Sequence, residues 1–265
     1  MGSRHVALVL RRLDLVAYLA FGWVLIATGA VIVAAVFVTL SDHIPLHTAL
    51  NRLQNGDLMR TYFTVANIPM TLASLAIAIG WMRLVMLNET PAPALGLRMP
   101  SGSARYFVKN IQLALGFLLF ALPGVLLAAG TALLIGGDPG NIVAAVIAAI
   151  SLGIAAWACL RFWLVFPAIA VGNDGMTFLR SYGLMRGKVA PLLVGTLVCW
   201  LPLLLVAAAF QLVLAAIYGE EVSAIGAIAY EFVSNFAILI TTAASAGVMA
   251  DIYAEAVPGD RQTAT

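Results

Sequence analysis

Glu231 sits inside an apolar stretch, and a polar series follows it: Ser234, Asn235, Thr241 or Thr242, and Ser245. On a helix these positions gather along one face. A carboxyl, an amide and hydroxyls on one face of an apolar helix suit two kinds of chemistry. One is interhelical glue, with Tyr230 or Gln211 of the preceding apolar run as the expected partner of Glu231. The other is the lining of a path for a proton, an ion or a polar headgroup. Leaving the stripe in lipid is costly on either view, so it is expected to face protein or water.

The remaining reactive side chains make a thinner case. His43 and His47 are four apart, a spacing that places two metal ligands on one helix face, but Pro45 between them predicts that the helix starts only there. The glutamate of a zinc-protease motif is missing as well, so neither a metal nor another cofactor is expected. Cys159 and Cys199 lie in separate apolar runs and read as small apolar filler. No P-loop, dinucleotide fingerprint, nucleophile elbow or aspartate-rich metal motif occurs, so no catalytic constellation is expected.

Charge is concentrated in basic stretches that alternate with apolar residues: "RHVALVLRRLD" (4–14), "SARYFVKNI" (103–111) and "GMTFLRSYGLMRGK" (175–188). In the last, Met176, Leu179, Tyr182 and Met185 or Arg186 recur at helical spacing, while Arg180, Arg186 and Lys188 reach toward headgroups. That is the pattern of an amphipathic helix lying in the membrane interface. Arg105 and Lys109 do the same for the middle stretch. Arg161 follows residues 142–160, which already suffice to cross, and lies between Trp157 and Trp163 at interfacial depth. It either snorkels to lipid phosphate or points inward to pair with Asp251 or Asp14, pinning helices. Pro167 is expected to end or bend the extension before "GNDG" turns the chain.

The elements that position these residues follow from composition. Of 265 residues, 63% are hydrophobic and only 10% charged, against about 25% charged in soluble domains. Six runs approach or exceed the roughly 20 residues that cross a bilayer: 14–40, 61–87, 110–136, 142–171 (or only to 160), 190–218 and 223–251. The first is too long for a signal-peptide core and reads as a retained anchor. Of the fourteen Lys and Arg residues, only Arg52 and Arg60 flank the spans on one side. The others, Arg4, Arg11, Arg12, Arg83, Arg98, Arg105, Lys109, Arg161, Arg180, Arg186, Lys188 and Arg261, lie on the other. The positive-inside rule then puts both termini in the cytoplasm. The opposite turns, "GGDPGN" (136–141) and "YGEE" (218–221), are short and free of cations. The expected fold is all-α, a polytopic bundle of six transmembrane helices in three hairpins (14–87, 110–171, 190–251) with short amphipathic interfacial helices. "PLHTALNRLQNG" (45–56) would be such a helix on the outer side.

Sliding the chain by 79 residues pairs Lys109 with Lys188, Gly116 with Gly195, Leu122-Pro123 with Leu201-Pro202, and several Leu and Ala positions between and beyond. This predicts a parallel repeat of 105–136 and 184–215, unlike the inverted repeats of many secondary transporters. Pro123 and Pro202 fall near mid-span and are expected to make matched kinks.

An arginine, then "P-A-I-A-V", then "S-x-x-L-x-R-G-K" resembles the "R…lPaiaV…S…S-W-x-x-T-R-G-n" pattern of bacterial six-helix inner-membrane proteins grouped with the membrane domain of glycerophosphoryl diester phosphodiesterases. The residues concerned are Arg161, Pro167 to Val171, Ser181 and Arg186-Gly187. Tyr182 stands where that pattern has tryptophan, and Met185 where it has threonine. The resemblance covers about 100 residues and implies a bacterial inner-membrane location and a fold rather than an activity. The catalytic barrel of the phosphodiesterase has no counterpart here.

The leading expectation is a non-enzymatic membrane protein that organises or assists a membrane complex or lipids. Anionic phospholipids at the cytoplasmic leaflet are its expected partners, at about 1 kcal/mol per cation near the surface, together with a membrane-protein partner or a second copy. Nucleic acid is a poor partner because the cations are scattered along the interface. The alternative is a transporter or channel built around Glu231, Ser234, Asn235, Thr242 and Gln211; an intramembrane lipid-modifying enzyme comes third.

Overall fold

In the computed structural model the described residues are 13–55, 59–89, 99–218 and 224–258. Nothing but helix and turn occurs among them. The helices are α1 (Leu13–Asp42), α2 (Leu46–Asn55), α3 (Met59–Leu87), α4 (Ser103–Ile135), α5 (Gly137–Leu160), α6 (Val165–Ala170), α7 (Phe178–Leu184), α8 (Val189–Tyr218) and α9 (Ala224–Ala256). Six of the elements are long and apolar enough to cross a membrane. Helix is the outcome physics demands there, because lipid offers no water to satisfy backbone N–H and C=O groups. The expected six-helix architecture is therefore present. The first basic stretch lies outside the described residues except for its last two, of which only the backbone is described.

The described residues divide into two compact units, one within Met1–Ser101 and Leu193–Asp251, the other within Gly102–Leu192 and Ile252–Thr265. In the first unit α1 packs against α3, and α2 folds back on both. Pro45 immediately precedes α2 and accepts a hydrogen bond from the Ala49 N–H (3.0 Å), so the helix starts where the proline predicted. His43 lies outside it with a φ of 54°, and only His47 is helical. The apolar face of α2, Ala49, Leu50 and Leu53, is buried against Val31, Ala35 and Val38 of α1. An Asp42–Arg52 ion pair (3.1 Å) closes the corner at the surface.

Also in the first unit, α8 meets α9 at Gly195, where an added Cβ would come within 2.8 Å of Val248 Cγ1. Residues 243–250 of α9 are all buried, and their small side chains, Ala243, Ala244, Ala246 and Gly247, permit that approach.

The second unit is built on the α4–α5 hairpin. Gly136 and Gly137 have φ of 67° and 59°, left-handed values that glycine adopts freely, and they reverse the chain in two residues. The turn is tighter than "GGDPGN" implied, because Asp138 and Pro139 belong to the first turn of α5, where an acid and a proline are both favourable. Gly124 of α4 lies directly on the Ser151 side chain of α5, so only glycine fits there. Helix α4 begins seven residues before the expected span, so the stretch 103–111 is its first turns rather than a separate interfacial helix. No proline or glycine interrupts it before Gly116. In the third basic stretch, by contrast, Gly187 with a φ of 78° separates α7 from α8. Pro123 and Pro202 lie inside α4 and α8, both exposed, and each helix continues through its proline.

Candidate functional site

The residues around Arg161 assemble in the second unit. Helix α5 ends at Leu160, and the N–H groups of Arg161, Phe162 and Trp163 each bond three residues back (3.2, 2.9 and 3.3 Å), tightening the backbone. The next donor, Leu164 N–H, is taken by the Ser181 hydroxyl of α7 at 3.2 Å. That hydroxyl donates in turn to the Arg161 carbonyl at 2.8 Å. Ser181 is fully buried and thus completes a helix ladder interrupted between α5 and α6.

Helix α6 is buried throughout. Pro167 was expected to end or bend this segment; it lies instead in the first turn of α6, where its missing N–H has no intrahelical role. The stop comes at Gly172, whose φ is 79°. Gly172 N–H bonds Ile169 O (3.1 Å) and Asn173 N–H bonds Ala168 O (2.8 Å), the paired closure of a Schellman motif. The Asn173 side chain then accepts from Gly175 N–H (2.9 Å) and donates to the Tyr253 hydroxyl (3.0 Å) of the last turns of α9. Helix α7 starts on Thr177, whose hydroxyl accepts from Arg180 N–H at 3.2 Å.

Three rings form a row across this module. Phe162 lies 5.6 Å from Phe178, edge-on, and 5.6 Å from Tyr182, tilted. A cation covers each end: Lys109 Nζ stands 4.7 Å from the Phe178 ring, and the Arg161 guanidinium 4.7 Å from that of Tyr182. Arg161 is partly exposed, though its Nε is enclosed without a hydrogen-bond partner among the described residues. The other predicted cations have different fates. Arg105 pairs with Asp174, and Lys188 with Glu255 at 3.2 Å. Arg180 reaches the Gly175 carbonyl (3.5 Å), and Arg186 is exposed.

The face expected for α7 splits. Met176 and Met185 are buried, whereas Leu179 is 84% exposed and Tyr182 is 41% exposed. The ring row, Asn173 and Glu255 escaped the sequence analysis. Phe178 and Tyr182 are four apart on one helix, which was the available signal for the row.

The polar stripe of α9 belongs to the first unit. Glu231, Asn235, Thr241 and Ser245 are all buried, as expected of groups kept from lipid. Asn235 Nδ2 donates to Glu231 Oε1 at 3.1 Å, a contact within one helix turn. Thr241 and Thr242 bond back to the carbonyls of Ala237 and Ile238, both at 2.9 Å. The hydroxyls of Ser234, Ser245 and Thr28 and the Trp81 indole N–H are enclosed without partners among the described residues. The side chains of Gln211 and Asp14 lie outside the described residues, and Asp251, half-buried, is in the first unit. Cys159 and Cys199 are both buried.

Comparison with protein-family models, with curated proteins and with solved structures finds no match to this chain.

Proposed function

We propose that this chain is a non-enzymatic integral membrane protein that organises lipids or assists a membrane complex, placed in a bacterial inner membrane with both ends cytoplasmic. The observation that carries the reading is the division of labour in the second unit. The α4–α5 hairpin turns its large apolar side chains outward, Leu133 and Leu134 at 86% and 89% exposure, while its cations cluster at the opposite end among aromatic rings. That is a body suited to lipid contact with a basic rim suited to anionic headgroups or an acidic partner. Purification of the full chain in mild detergent tests it. A stoichiometric membrane-protein partner or enrichment of anionic phospholipid over the bulk membrane is expected, and a chain that carries neither contradicts the reading.

A second reading, transport of a proton, ion or small polar solute, has its own support. Glu231 and Asn235 are buried as a pair on α9, and the same helix carries the hydroxyls of Ser234 and Ser245, which have no partner among the described residues. Each such group costs about 1–3 kcal/mol unless water or a solute meets it. On this reading Glu231→Gln lowers flux in proteoliposomes at least tenfold. Flux equal to that of the unsubstituted chain removes the acid from any transport role.

A further inference from the structure

We propose that the ring row Phe178–Phe162–Tyr182, with Lys109 and Arg161 at its ends, is a binding site for the phosphodiester of an anionic phospholipid; the proposal rests on the lipid-organising reading above. Depth supports it. Helix α5 spans 24 residues, about 36 Å, enough to cross a core of about 30 Å and deliver Arg161 to the headgroup level. Lys109 lies about 40 Å along α4 from Ile135, and because α4 and α5 form one hairpin the two cations reach the same end of it.

Charge bookkeeping narrows the ligand. Arg105 and Lys188 in the same unit are already met by Asp174 and Glu255, whereas Lys109 and Arg161 rest on rings with no carboxylate partner among the described residues. A ring face holds a cation without neutralising it. Arg161 is partly exposed, and a guanidinium can take phosphate oxygens in a fork. Leu179, 84% exposed on α7 between Phe178 and Tyr182 in sequence, is suited to enter the acyl region beside a bound lipid. The Ser181 splice and the Asn173–Tyr253 bond hold α7 in this position, so the site is preformed.

The full chain in mild detergent, titrated with short-chain phosphatidylglycerol and read by native mass spectrometry, tests the assignment. Lys109→Gln with Arg161→Gln is expected to weaken binding by about tenfold or more, since each cation near a headgroup carries about 1 kcal/mol. Arg105→Gln with Asp174→Asn is expected to change it less than threefold. Phe162→Leu leaves every charge in place yet is expected to weaken binding through loss of the middle ring; it also serves if the double variant fails to fold. Excess inorganic phosphate is expected not to displace the lipid. Wild-type affinity in both Lys109→Gln/Arg161→Gln and Phe162→Leu overturns the site, as does full displacement by inorganic phosphate. Wild-type chain that binds no phosphatidylglycerol and purifies with neither partner nor anionic lipid overturns the lipid-organising reading itself.

Discussion

At the residue scale the most informative side chain is Ser181. Its hydroxyl both accepts from Leu164 N–H and donates to Arg161 O, replacing two backbone bonds where α5 gives way to α6. Its removal leaves the buried Leu164 N–H and the part-buried Arg161 C=O without this partner, so Ser181→Ala is expected to destabilise the chain by about 1–3 kcal/mol. A lowered thermal midpoint in detergent checks this, and an unchanged midpoint contradicts it. The residues around the site were partly legible in the sequence: Arg161, Pro167 to Val171 and Ser181 stand out as a pattern. Their joint purpose was not legible. The bonds to Ser181 span 17 and 20 residues, and no local periodicity reports a contact that closes only in three dimensions. Glu231 differs, for Tyr230 or Gln211 was its expected partner, yet it accepts a bond from Asn235 one turn along the same helix, a contact that i, i+4 spacing offers.

At the element scale the six spans were legible because bilayer thickness dictates their length and desolvation excludes charge from their interiors. What escaped was the behaviour of segments that are half apolar. The stretches 103–111 and 175–188 look alike in composition, yet one extends α4 and the other breaks into α7, a turn and α8. Gly187 makes the difference, being left-handed where the first stretch has no glycine. The proposed repeat has a sharp consequence for its matched glycines. Gly195 faces Val248 closely, while nothing among the described residues stands within 4 Å of a Cβ at Gly116. Gly116→Ala is expected to be neutral or stabilising by up to about 1 kcal/mol, through helix propensity. Gly195→Ala is expected to destabilise by roughly 1 kcal/mol or more, as α8 and α9 are forced apart. Thermal midpoints of the two variants give opposite signs if this packing is right. Equal effects would contradict it.

At the scale of the whole molecule, the proposed orientation puts the ends of the chain and the Arg161 module at the inner leaflet, an expectation that rests on the positive-inside rule. Lipid binding by that module should then weaken steeply with salt for charges at the surface, since screening shortens the reach of exposed cations to about 10 Å at 0.1 M. Stacked Lys109 and Arg161 should retain more of their attraction than exposed Arg186, and vesicle binding across a salt series compares them. The division into two compact units was not legible from the sequence, because chain order hides that Leu193–Asp251 group with the first unit and Ile252–Thr265 with the second. Sidedness is the claim on which the proposed function depends. Single cysteines replacing Asp138, in the α4–α5 turn, and Gly183, which has open space on α7, can be probed with a membrane-impermeant maleimide, Cys159 and Cys199 being buried. The account predicts that Asp138→Cys is labelled in intact cells and Gly183→Cys only after permeabilisation; labelling of Gly183→Cys in intact cells would contradict it.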